Sequence, residues 1–546
     1  MADSKLVRGT LILTASIFIS KILGLIYIFP FQAIVGLEGL ALYSFGYIPY
    51  TVLLSVATLG IPLAVSKFVS KYNALGDYET GRRLFKSGLI VMSITGLISF
   101  FILFLLAEPI ANQVVDGKDL KGNTIDDVIL TIRMVSVALL VVPIMSLIRG
   151  YFQGHQSMGP TAVSQVIEQI VRIIFILCLT FVIVHVMNGS IALAVAFATF
   201  GAFVGALGGL TVLLYYWFRR RVHLNNQLLE SKVNHHLPLT SIYKELITYA
   251  LPLSFVGLAI PLYQMIDLMT FNKALYGIGY DQVAVDKAFG AFSQAAHKLI
   301  LIPVSIATAM SLTILPTITK SYINNDQTLL QRQVTQTYQI ILYLTLPAAI
   351  GLSLLANPAY GALFGLEDIE IGAWILRYYA PVAVLFSIFA VTSAILQGIN
   401  QQRFAVIGLL AGLIVKLSFN TFFLTQLGAV GAIYATGLGY LTSLGVNIWA
   451  IGKYGNYNYT FVLKRFLLIS IFSLIMAVIV VVTKEAVSIV LPLENRLNAF
   501  IVLLVSVAVG GLVYLYLGIR SNLAGQILGS RFKFLNKKQR SQESGS

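Results

Sequence analysis

Along this chain apolar residues recur in runs of about 20 or more, separated by short polar breaks. About 20 helical residues cross a hydrocarbon core about 30 Å thick, and in lipid every backbone N–H and C=O must bond within its own segment. The runs therefore predict helices, and the short alternating segments of a β-barrel are missing. About fourteen transmembrane helices are expected, at 9–35, 42–70, 85–108, 126–150, 158–186, 190–217, 244–272, 288–319, 333–356, 371–398, 404–425, 428–451, 462–483 and 497–518. Glycine-rich turns, Asn188-Gly189 and a polar stretch at 219–245 mark the breaks. The fold class is all-α, polytopic membrane.

Composition agrees. Of 546 residues, 58% are hydrophobic and only 11% charged, against about 25% charged in soluble domains. The single cysteine, Cys178, lies inside an apolar run and excludes a disulfide framework or a cysteine metal site. Six histidines lack ligand spacing, so no metal and no cofactor is expected. A net charge of +15 would suit nucleic acid in a soluble protein, but in a membrane protein basic excess reflects topology, and no nucleic-acid partner is expected. The first apolar stretch, 9–36, is too long for a signal-peptide core and is read as a retained helix.

Charge then sets orientation. With both termini in the cytoplasm, the inner side collects Lys5, Arg8, Lys67, Lys71, Arg82, Arg83, Lys86, Arg149, Arg219, Arg220, Arg221, Lys232, Lys244, Lys320, Arg332, Arg403, Lys453, Lys464 and Arg465, with the basic tail. The outer side takes Glu108, Asp116, Asp119, Asp126, Asp127, Asp281, Asp286, Glu367, Asp368, Glu370, Glu485 and Glu494. An odd helix count would spoil this segregation.

A faint repeat runs through the chain. Ile148-Arg-Gly-Tyr-Phe-Gln-Gly154 resembles Ala394-Ile-Leu-Gln-Gly-Ile-Asn400 at an offset of 244 residues, which also carries Arg172 onto Lys416. Pro62-Leu-Ala-Val-Ser-Lys67 resembles Pro316-Thr-Ile-Thr-Lys320. The expected plan is an N-lobe of six helices at 1–218, a cytoplasmic linker loop at 219–243 and a C-lobe of six helices at 244–452. Two more helices at 453–520 and a basic cytoplasmic tail at 521–546 follow. Parallel repeats are a known transporter plan.

After topology has claimed most charges, Lys21, Glu168, Arg172, Asp267, Lys298 and Lys416 remain inside predicted helices. Each costs about 2.5–3.5 kcal/mol at the bilayer centre. Four cations face two anions, and the surplus points to an anion that enters. Bland readings stand beside this one. Glu168 and Arg172, at i and i+4, suit a structural ion pair. Asp267 fits a water-reachable helix end, a pair with Lys416 or a coupling-ion site, and Lys416 fits snorkelling. Lys21 and Lys298 lie too deep to snorkel easily. Ten prolines, Pro303, Pro316 and Pro347 among them, fall within or at the ends of predicted helices and permit kinks. No P-loop, activated nucleophile or metal-ligand cluster is present in the sequence, so no catalytic residue is assigned and the chain reads as a non-enzyme.

Ser20-Lys21-Ile22-Leu23-Gly24-Leu25-Ile26-Tyr27 resembles the Ser-Arg-x-x-Gly-x-x-Arg signature of the MurJ lipid II flippases, in the multidrug/oligosaccharidyl-lipid/polysaccharide (MOP) exporter superfamily. Lys298-Leu-Ile-Leu-Ile-Pro303, with Leu315-Pro316 after it, is similar to the family's Arg-Leu-x-x-x-Pro stretch and later Leu-Pro. Val7-Arg8-Gly9-Thr10 and the region Val52 to Lys71 resemble the Gram-positive branch, which includes the sporulation protein SpoVB. The resemblance covers nearly the whole chain with moderately specific motifs.

It implies a V-shaped pair of lobes around a cationic cavity, with helices 13 and 14 forming a groove for a polyprenyl tail. Lys21 and Lys298 match two family arginines that contact the substrate diphosphate. Tyr27 replaces a third, and a fourth falls in the apolar stretch at 52–54. Arg172 and Lys416 are the residues expected to restore the lost charge.

The implied substrate is a lipid-linked glycan on an undecaprenyl diphosphate carrier, peptidoglycan's lipid II, flipped by alternating access in the bacterial cell membrane. Membrane lipids and cell-wall synthesis proteins are the expected partners. The rivals are a flippase for another lipid-linked glycan or a SpoVB-like protein, then a cation-coupled drug antiporter, whose cavity should be acidic. A non-transporting scaffold would need no buried cations.

Overall fold

The computed structural model describes the backbone of residues 2–58, 60–115, 122–229, 231, 238–521 and 523. Asp116, Asp119, Lys232 and nearly all of the expected tail lie outside the described residues, as do the side chains of Lys5 and Arg8. Each of the fourteen predicted stretches falls on helix. Among the described residues ten helical stretches are long and apolar enough to cross a membrane, or eleven with the bent pair Ile369–Tyr379 and Val382–Gly398. The first, Ile12–Ala74, runs 63 residues, about 95 Å at 1.5 Å per residue, enough for two crossings. The chain is a multi-pass α-helical membrane protein. Its described residues group into two compact units, dividing between Gly290 and Ala291.

The first unit opens with α1 (Ala2–Ile26), α2 (Ile28–Thr58) and α3 (Ile61–Ala74). Gly36, at φ 69° and ψ −176°, breaks the path within α2 near the expected gap. A second break falls inside the expected helix 42–70, where Gly60 is left-handed and Pro62 opens α3. Gly carries no Cβ penalty there, and Pro is pre-set for a first helical turn. Then come α4 (Tyr78–Leu105), α5 (Ala107–Val114), α6 (Ile125–Ser136), α7 (Val142–Gly154) and α8 (Met158–Phe181). The unit closes with α9 (Ile191–Leu229), α10 (Leu239–Gly257), α11 (Ala259–Gly277) and α12 (Gln282–Gly290).

On α4, Ile90, Ile94, Leu97, Ile98, Phe101 and Leu105 are exposed while Met92, Gly96, Ser99 and Leu103 are buried. Large apolar groups face outward, and the buried side mixes small or polar Gly96 and Ser99 with large apolar Met92 and Leu103, a distribution a lipid solvent permits since tails are as apolar as leucine.

The expected linker loop at 219–243 is helical over much of its length. α9 spans 39 residues and continues through the Arg219–Arg221 run to Leu229, while α10 already begins at Leu239. Arginine, leucine and glutamine are good helix formers, so the helix persists after the apolar run has ended.

The second unit starts with a π-helical turn at Ala291–Ala296, followed by α13 (His297–Ile323), α14 (Gln327–Leu354), α15 (Ala356–Phe364), α16 (Ile369–Tyr379) and α17 (Val382–Gly398). α18 (Gln402–Leu427), α19 (Val430–Tyr454), α20 (Thr460–Val490) and α21 (Arg496–Arg520) complete it. The α16–α17 junction bends by 42° beside Pro381, which cannot donate a helical hydrogen bond.

The two units share some local backbone detail. Asp77 caps α4 by accepting the Thr80 N–H at 2.9 Å, and Asp326 caps α14 by accepting the Leu329 N–H at 3.0 Å. Gly76 and Asn325, just before them, have φ 76° and 54°. Past α7 and α17, Gln156 and Asn400 have φ 55° and 58°.

Candidate functional site

α8 carries the charged centre of the first unit. Glu168 stands between two arginines, its Oε2 2.8 Å from Arg149 Nη2 and its Oε1 3.0 Å from Arg172 Nη2. The three side chains are only 12–15% exposed. Arg149 comes from α7 and is doubly held, donating from Nε and Nη2 to Ser164 Oγ at 3.1 and 2.6 Å. Ser164 in turn donates to the Gly209 carbonyl at 3.1 Å. Arg172 makes fewer bonds: besides Glu168 it donates from Nη1 to the Tyr47 hydroxyl at 3.3 Å. Its Nε is buried without a hydrogen-bond partner.

The helices meet this closely because α9 presents glycines. A Cβ on Gly205 would lie 2.8 Å from Arg172 Cβ and 2.9 Å from the Glu168 carbonyl. On Gly209 it would lie 3.2 Å from both Arg149 Nη2 and Glu168 Cβ. Spaced four apart, they form the small-residue stripe that brings membrane helices together.

Tyrosines extend the polar wall along α2. The rings of Tyr43 and Tyr47 stack with centroids 5.2 Å apart, and Tyr47 and Tyr50 lie 5.4 Å apart. Tyr27, where the resemblance expects arginine, is buried and donates to the Tyr43 hydroxyl at 3.4 Å. Lys21 is exposed on α1, which packs against α8; Gly24 of α1 faces Gln169, the neighbour of Glu168.

The Glu168–Arg172 pair predicted from spacing is therefore present, and the sequence reading missed its third member. Charge segregation counts Arg149 with the inner side, next to the end of the helix expected at 126–150. It is instead an interior residue of α7, and only the packing of α7 on α8 brings it to Glu168. The signal available was the adjacent Gly150-Tyr151, which continues the helix.

Two acids also differ from expectation. Asp267 on α11 is 2% exposed, so it is a buried residue and not a water-reachable one. Asp286, assigned to an outer loop, is fully buried on α12, where its Oδ2 accepts the Asn123 N–H at 3.1 Å and Nδ2–H at 2.9 Å. The turn before α6 reaches back to α12, a long-range contact that no local pattern announces.

In the second unit Lys298 is half-buried, one residue into α13 and directly after the π-helical turn, a local irregularity common at functional sites. Its neighbour His297 is fixed by a 3.0 Å hydrogen bond between Nδ1 and the Tyr379 hydroxyl. Lys416 does not snorkel. It is fully buried between α18 and α19, donating to Thr436 Oγ1 at 2.5 Å, while Thr436 donates to the Ala432 carbonyl at 2.8 Å.

An apolar groove of about 530 Å³ also lies in this unit, lined from α13, α14, α20 and α21 by residues that include Pro303, Pro347, Met476, Val480, Val507 and Tyr514. Tyr514 is held by donating to the Tyr343 carbonyl at 2.9 Å. Among the described residues no group of three or more His, Cys, Asp or Glu could hold a metal ion.

Comparison with known proteins adds kinship to this geometry. Residues 6–322 match the family described as polysaccharide biosynthesis protein. The chain is 48% identical over 541 residues to the lipid II flippase MurJ of Bacillus subtilis (strain 168), covering 98% of this chain and 99% of that protein. With the stage V sporulation protein B of the same organism it shares 25% over 459 residues, covering 81% and 83%. Among solved structures, the lipid II flippase MurJ in an inward closed conformation superposes with a TM-score of 0.67 at 17% identity, covering 95% of this chain and 99% of that one. An inward-facing MATE family multidrug transporter of the MOP superfamily gives 0.65 at 16% identity, covering 80% and 95%. These two likenesses establish the fold.

Proposed function

Because the chain belongs to the polysaccharide biosynthesis protein family and, within it, to the MurJ lipid II flippases, we propose that it carries lipid II from the inner to the outer leaflet of the bacterial cell membrane. It is a transporter and not an enzyme. The observation that carries this reading is the full-length kinship with a flippase of that name. The Arg149–Glu168–Arg172 network, with two guanidiniums to one carboxylate, suits an anionic headgroup.

In this reading Lys21 and Lys298 hold the diphosphate of the undecaprenyl carrier, and Arg172 contributes to its binding. Lysine binds phosphate as a point charge and arginine as a fork, so the two contribute charge and direction respectively. Lys416 supplies charge from within α18, and the groove among α13, α14, α20 and α21 takes the polyprenyl tail. The lobes at 1–218 and 244–452 rock about the bound headgroup, both termini stay in the cytoplasm, and cell-wall synthesis proteins receive the product.

Kinship with a sporulation protein favours a second reading, a flippase for another lipid-linked glycan. Complementation separates the two. Cells depleted of their own lipid II flippases, expressing this chain, should regain growth and outer-face lipid II. Membrane-inserted protein without rescue would replace lipid II by another lipid-linked glycan.

A further inference from the structure

The Arg149–Glu168–Arg172 network is built asymmetrically, and the asymmetry assigns different tasks to its two arginines. Arg149 is anchored by Glu168 and by two bonds to Ser164, itself tied to α9. Arg172 shares the same carboxylate, adds one long bond to Tyr47, and keeps a buried Nε–H without an acceptor. An unsatisfied buried N–H of a guanidinium is costly, and an anionic oxygen is its best partner.

We infer that Arg149 is a positioning residue: the permanent counter-ion of Glu168, which leaves Arg172 as the exchangeable cation that takes a phosphate oxygen of the substrate. Glu168 acts as a stand-in anion for Arg172 while the site is empty. When a phosphate arrives, Arg172 turns its free Nε–H and its Nη2–H toward it, and the carboxylate remains neutralised by Arg149. Without Arg149 the released carboxylate would be an uncompensated buried charge, and Glu168 would hold Arg172 captive. The inference rests on the diphosphate reading above and adds the means by which that site stays cationic.

The charge count makes it testable. The network carries +1 in the native chain, 0 in Arg149→Gln, +2 in Glu168→Gln and +1 again in the double variant. Farnesyl diphosphate is the probe, titrated onto the full chain in lipid nanodiscs, with farnesol as the uncharged control. Arg149→Gln should weaken binding about tenfold or more, the size of one lost charge-assisted hydrogen bond. Adding Glu168→Gln should restore it to within about threefold, because Arg172 is free again. Glu168→Gln alone should bind at least as tightly as the native chain and remains informative even where Arg149→Gln fails to fold. Native binding by Arg149→Gln, a double variant as weak as the single, or weakened binding by Glu168→Gln would each overturn the inference. If the native chain binds farnesyl diphosphate no better than farnesol, the diphosphate reading itself falls, and this inference with it.

Discussion

Gln156 and Asn400 stand 244 residues apart and adopt the same left-handed backbone, with φ of 55° and 58°, each just after a helix that ends its Gln-Gly pair. Asparagine tolerates this region through its short polar side chain, whereas glutamine does not share that ease. Gln156→Gly should therefore stabilise the chain by about 0.5–1 kcal/mol and Asn400→Gly by less. Thermal unfolding of the two variants in detergent checks the order.

Gly205→Leu should be disruptive. Even a Cβ there meets the Glu168 carbonyl at 2.9 Å, and backbone cannot step aside as a flexible side chain can. Separation of α8 from α9 is expected, with a cost of about 1–3 kcal/mol, together with loss of the Arg172–Glu168 geometry. Lowered thermal stability and failure to support a flippase-depleted strain should appear together.

Thr436→Val removes the acceptor that Lys416 uses at 2.5 Å while keeping the shape of the side chain. A buried ammonium that loses a charged hydrogen bond costs about 1.5–3 kcal/mol. Lys416→Met, which also removes the charge, should be better tolerated than Thr436→Val. Midpoints of thermal unfolding compare the two.

Filling the apolar groove should separate tail from headgroup. Val507→Trp narrows it without touching a charged residue. Rescue of the depleted strain is expected to fall while binding of farnesyl diphosphate, whose tail is short, stays near native. Equal loss of both would argue that the groove serves only packing.

Lys21→Ala and Lys298→Ala should each abolish rescue at normal membrane expression, and Lys→Arg at either position should preserve it, since the positive charge is kept. Growth by either alanine variant would remove that lysine from the binding site.

Much of this was legible in the sequence because a membrane simplifies the code. Lipid forces each long apolar run into a helix, so the stretches around α8 and α18 were placed to within about five residues. The Glu168–Arg172 pair followed from i, i+4 spacing alone. What escaped was tertiary. Arg149 reaches Glu168 across 19 residues, and Asp286 reaches Asn123 across 163; neither distance leaves a periodic trace. Gly60 and Pro62 were in plain view, yet punctuation inside an apolar run reads equally as a kink or an end. The tail of α9 was misread for the opposite reason: polar residues were taken to mean loop, although a helix can run on into water.

That overrun makes α9 a depth gauge. Three consecutive arginines on it, Arg219 to Arg221, are suited to an anionic headgroup level. Gly209 lies ten residues earlier, about 15 Å further down the axis, or half of a 30 Å core. A depth of that size would station the Arg149 guanidinium and the Glu168 side chain, packed on that glycine, near the midplane, where an ion crossing the bilayer meets its highest barrier.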